Sequence, residues 1–179
     1  MTRLVRTIVV ASVMAAAVAI YAGVAAGHNG GGNGHGDRHG GKHRGNAVLK
    51  ASLAPSQIGD PTFHGVAAGA APWVLKRGSV ELKSKGRLEL RVRGLVIPPP
   101  MGNGTPGPVT TINASLYCGA DTDTAAADTS DTVPLDQSGN ARIRDKSFIV
   151  PPTCLAPVIL VHPNGAPKLY IAVDGWRTS

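Results

Sequence analysis

Residues 87–97, RLELRVRGLVI, constrain the fold more than any other stretch of the chain. Leu88, Leu90 and Val92 alternate with Arg87, Glu89, Arg91 and Arg93, the period-two pattern of a strand with one face in a core and the other in water. A register slip of one residue would turn guanidinium groups inward, so the pairing of this strand is strongly specified. The preceding residues repeat the pattern. Val80 and Leu82 alternate with Ser79, Glu81 and Lys83, and Ser84, Lys85 and Gly86 make a short turn between the two runs. The expectation is a β-hairpin.

Alternation recurs at 47–53, where Leu49, Ala51 and Leu53 share a side. It recurs again at 109–118, where Ile112, Ala114, Leu116 and Cys118 oppose Thr111, Asn113, Ser115 and Tyr117. Shorter runs follow at 141–144, 148–150, 158–161 and 169–173. Between them, 54–72 reads as a long surface connection, Lys76-Arg77-Gly78 as a turn, and 98–108 (PPPMGNGTPGP) as a loop, because proline lacks a ladder donor and glycine favours turns. Beyond the first 26 residues no stretch of ten has helical spacing, so the fold class is all-β, with about seven to nine strands. Cys118 and Cys154 are the only cysteines. They are expected to form one disulfide between sheets, which favours an immunoglobulin-like antiparallel β-sandwich. Closing that loop stabilises the fold by roughly 3 to 4 kcal/mol in the chain-entropy account.

The chain divides into 1–26, 27–45 and 46–179. The first part has Arg3 and Arg6, an apolar run from Ile8, and small residues at Ala25 and Ala26, the three parts of a secretory signal peptide. The apolar run is also long enough for an uncleaved N-terminal anchor, the one case that brings the domain to a membrane. In both cases the domain is extracytoplasmic, where a cysteine pair oxidises. The second part, GHNGGGNGHGDRHGGKHRG, has too little apolar surface to offset the entropy of ordering and reads as a disordered Gly/His-rich linker. His28, His35, His39 and His43 on such a tether are candidate ligands for Cu(II), Ni(II) or Zn(II). Cleavage after Ala25 would place His28 third and create a square-planar nitrogen site.

A formal charge of +7 and a pI near 9.9 suggest a polyanion partner. From Asn46 onward, however, 13 basic residues face 10 acidic ones, a net of +3. Nucleic acid is not the expected partner, because the compartment is wrong and no stacking aromatics accompany the arginines. Lys83, Lys85, Arg87, Arg91 and Arg93 are instead candidate contacts to anionic cell-envelope polymers or lipid head groups. Asp121, Asp123, Asp128, Asp131 and Asp136 cancel that field if they pack beside it and leave the domain dipolar if they lie elsewhere. Asp121 and Asp123 resemble the start of a calcium loop, but its glycine and bidentate glutamate are missing, and a solvated acidic loop is the reading.

The bases of the third part are His64 and His162, both beside turn residues and expected in solvent. No G-x-S-x-G elbow, H-E-x-x-H helix or paired-cysteine metal framework occurs. The segments PWVLKRGSVELKSKGRLELRVRGLVI, ASLYC and PPTCLAPVILV together resemble a group of uncharacterised secreted bacterial β-sandwich proteins with one cysteine pair. The resemblance implies a β-sandwich and carries no activity or residue roles. The functional expectation is an exported, non-enzymatic β-sandwich of the bacterial envelope or medium, acting as a surface binding or structural module. Two other readings stand beside it: extracytoplasmic divalent-metal binding through the tail, and a hydrolase whose carboxylates meet in space.

Overall fold

Every regular element that residues 46–178 adopt in the computed structural model is a strand. Residues 1–45, which hold the expected signal segment, the expected linker and His28, His35, His39 and His43, lie outside the described residues. The alternating runs form the long strands. β1 (Ala47–Pro55) pairs antiparallel with β3 (Arg77–Lys83) as far as Ser52, then with β11 (Ala172–Asp174) from Leu53 onward. β3 and β4 (Arg87–Arg93) make the expected hairpin, with Val80 opposite Leu90 and Leu82 opposite Leu88. Gly86 closes its turn at φ +70°, a backbone conformation that suits glycine, and its N–H donates to the Lys83 carbonyl. The strand starts at Arg77, earlier than the 76–78 turn predicts, because β4 is long enough to pair Arg77 and Gly78 with Arg93 and Val92.

The remaining long strands are β5 (Thr111–Tyr117), β8 (Ala141–Asp145) and β9 (Val158–Pro163). Short strands β6 (Asp128–Thr129) and β7 (Val133–Pro134) both pair with β5. The order β6-β5-β9-β11-β1-β3-β4-β8 makes one antiparallel sheet, curled into a half-barrel whose inner faces share a core. Leu82, Leu88, Leu90 and Ile143 from one half meet Ile112, Leu116, Ile159 and Val161 from the other, all buried. Each such side chain contributes roughly 1.5 to 3 kcal/mol by leaving water.

Two further features of the fold depart from the sequence reading. β5 is expected to be half-exposed, yet all of Ile112 to Tyr117 is buried. The 54–72 connection folds back over it, and β2 (Ala67–Ala68) forms a two-residue parallel pair with β10 (Leu169–Tyr170). Val66, Tyr117, Leu160 and Tyr170 thereby enclose a second, smaller core on the outer side of the sheet. The second departure is the cysteine pair. Cys118 and Cys154 are bonded, with Cα atoms 5.0 Å apart, but Cys154 lies in the connection between β8 and β9 and both residues are only partly buried. The bridge pins that connection to the end of β5; it does not join the two halves of the sheet.

Candidate functional site

The outer face of β1, β3, β4 and β8 is where the charged residues of the alternating strands converge. Because inward positions are taken by the leucines and valines, every charge on these strands except Asp145 must point to water. β1 contributes Lys50, β3 contributes Arg77, Glu81 and Lys83, and β4 contributes Arg87, Glu89, Arg91 and Arg93. β8 adds Arg142 and Arg144. Eight cations thus share one face with two carboxylates. Strand spacing sets them on a grid of roughly 5 by 7 Å, over an open concavity of about 600 Å³ floored by β1, β3 and β4.

The cross-strand register is electrostatically unfavourable. Six pairs of charged residues lie directly opposite one another on this face, and four are like-charged: Arg77 with Arg93, Lys83 with Arg87, Arg91 with Arg142, and Glu81 with Glu89. Like charges opposite one another destabilise a sheet. The two glutamates relieve part of this by bonding to cations beside or diagonal to them. Glu89 accepts from Arg91 at 2.9 Å and from Arg142, and these two bonds hold its carboxyl below the usual range. Glu81 pairs with Lys83 at 3.3 Å. Among the described residues Lys50, Arg77, Arg87, Arg93 and Arg144 have no ion-pair partner.

None of the five aspartates of 121–136 forms an ion pair with a cation of this face, although Asp131 and Arg144 line one shallow pocket. Asp128 accepts the Ile149 N–H at 2.6 Å, and Asp136 holds its own turn through the N–H groups of Ser138 and Asn140. Asp121 and Asp123 serve His64: its Nδ1–H donates to the Asp123 carbonyl at 2.9 Å, and Asp121 Oδ1 lies 3.9 Å from Nε2. Of the sequence candidates, Lys83, Arg87, Arg91 and Arg93 come together on the strands, while Lys85 sits exposed at the tip of the β3–β4 turn. Arg142 and Arg144 complete the face and escaped the sequence reading. The alternation of 141–144 marks a strand, but nothing local says that it lies beside β4, some fifty residues earlier.

Both histidines are buried, contrary to the expectation of solvent exposure. His64 is stacked on Tyr117, ring centroids 5.0 Å apart, under the folded-back connection. His162 lies on β9 beneath the β2–β10 layer; its Nδ1–H donates to the Leu169 carbonyl at 2.7 Å, and Nε2 has no partner. Burial pushes the His162 pKa below the ordinary imidazole value, against the opposing pull of the Leu169 and Ala166 carbonyls. An unfolded imidazole titrates near pH ~6.5. Below that pH the unfolded chain binds a proton that the folded chain does not, so this stability is complete above pH ~6.5 and drains away as pH falls through the window beneath it. The urea midpoint should therefore decline from pH 7 to 5, and His162→Asn should flatten that decline; an unchanged slope would assign it to another group.

Among the described residues no group of three or more His, Cys, Asp or Glu is arranged to hold a metal ion. Comparison with family profiles, with curated proteins and with solved structures gives no match to the chain.

Proposed function

We propose that this is an exported, immunoglobulin-like, non-enzymatic binding module of the cell envelope, whose outer β1-β3-β4-β8 face takes an anionic envelope polymer. The observation that carries this reading is the register of like charges. Three opposed cation pairs weaken a sheet that stands to gain from their removal, and a polyanion laid across the strands turns that repulsion into attraction. The cysteine pair accords with an oxidising, extracytoplasmic setting, and the shared core of the two sheet halves accords with a sandwich. A polymer is favoured over a compact anion because the surplus is spread over four strands around an open concavity rather than gathered into a pocket.

The test is retention of the protein on isolated envelope and on immobilised polyphosphate as salt rises. Binding at low salt that fades as the Debye length shrinks from about 30 Å at 0.01 M to about 8 Å at 0.15 M supports the reading. Failure to bind either material at low salt sinks it.

A further inference from the structure

On the other half of the sheet, a cleft of about 580 Å³ lies between the 60–63 segment and the chain after β11. Trp176 borders it and is 85% exposed, although a large aromatic side chain is usually well covered. Beside it Arg177 pairs with Asp60 at 2.5 Å, and Asp60 is itself fixed by the Gln57 N–H at 2.7 Å. The floor is rigid: Phe63 packs on Tyr170 with centroids 5.6 Å apart, and the Tyr170 hydroxyl donates to the Pro61 carbonyl at 2.8 Å. Burial pushes the Tyr170 phenol up to about 12 and raises the Asp174 carboxyl as well, so two perturbed groups line this one cleft.

These parts match one ligand chemistry. An uncovered indole offers a flat apolar platform, and a neighbouring guanidinium–carboxylate pair offers a donor and an acceptor side by side. A pyranose with equatorial hydroxyls has both complements: an apolar C–H face, and a rim of vicinal hydroxyls that donate to the carboxylate while accepting from the guanidinium. An organic cation fits less well, because Asp60 is already compensated by Arg177 and Asp174 Oδ1 accepts the Ile159 N–H at 2.6 Å. We infer that the Trp176–Arg177–Asp60 cleft is a saccharide-binding site for β-1,4-linked, gluco-configured chains, separate from the cationic face.

The chain has only two tryptophans, and Trp73 is 3% exposed, so red-shifted emission reports on Trp176. Titration of the full chain with cellotetraose should give a saturable blue shift of that emission. Arg177→Gln should weaken the affinity at least fivefold. Trp176→Ala should remove the signal and, by calorimetry, at least 90% of the affinity, with an unchanged melting midpoint because the side chain supports no core. Maltotetraose, whose α-linkages curve the chain off a flat platform, should bind at least tenfold more weakly. No saturable shift, calorimetric binding that survives Trp176→Ala, or equal affinity for maltotetraose would overturn the inference. The Arg91→Glu, Arg93→Glu protein should bind cellotetraose as the parent does, so the two surfaces stand or fall separately.

Discussion

Reversing Arg91 and Arg93 together to glutamate is expected to weaken binding to polyphosphate and to isolated envelope by about two orders of magnitude or more at low salt. Each cation near an anionic surface is worth about 1 kcal/mol, and the double reversal changes the charge of the face by four. That would reach about a thousandfold if the new carboxylates stayed unpaired. They do not, since Arg93 lies opposite Arg77 and Arg91 lies opposite Arg142. The same register makes a second, opposite expectation. Two repulsive pairs become attractive ones, each change of this kind being worth roughly 0.2 to 1 kcal/mol, so the variant should be at least as resistant to urea as the parent. Arg91 also gives up its bond to Glu89, but Arg142 still holds that carboxylate. Lost binding with retained or improved stability is the signature of a face kept cationic for a partner. Lost binding together with lost stability would mean that the arginines serve the fold, and the interface reading would fail.

Replacing both cysteines with serine is expected to lower stability by roughly 3 to 4 kcal/mol, because the bridge closes a loop between residues 36 apart. The urea midpoint should fall, and the slope of the transition should rise, since an unfolded chain without the cross-link exposes more surface. Both cysteines are only partly buried where they pack against the main core, so lost packing adds little to this entropic part. Cys154 sits in the β8–β9 connection, held to β5 by the bridge and by the Gly119 N–H donating to the Leu155 carbonyl at 2.7 Å, and neither sulfur spans the main core. A loss well above 5 kcal/mol would show that the pair also supports native packing. The cationic face and the Trp176 cleft should both keep their ligands in the serine variant.

The long strands of the half-barrel, though not their order, are legible in the sequence. The 87–97 run is a half-buried strand because only one set of alternate residues tolerates a core, and the hairpin with 79–83 follows from the short Ser84-Lys85-Gly86 turn. Four of the five cations proposed from the sequence lie on the strand face for the same reason. The missing members, Arg142 and Arg144, belong to a strand whose neighbour is chosen by long-range pairing, which leaves no local mark. His64, His162 and the outer side of β5 look solvent-facing residue by residue. They are buried because the 54–72 segment, rich in turn residues and tied down by the short β2–β10 pair, lies across them.

By itself the sequence determined which residues point inward along each long strand, where the hairpin turns, and that an all-β domain holds a single cysteine pair. These are properties of period-two backbone geometry and of composition, decided within a few residues. Only the tertiary structure decided that β8 lies against β4 and adds Arg142 and Arg144 to the cationic face, that Cys154 anchors a connection, and that Trp176 stands uncovered beside Arg177 and Asp60. Each depends on which distant segments close on one another, and that choice rests on the summed burial of the whole core against the entropy of loop closure.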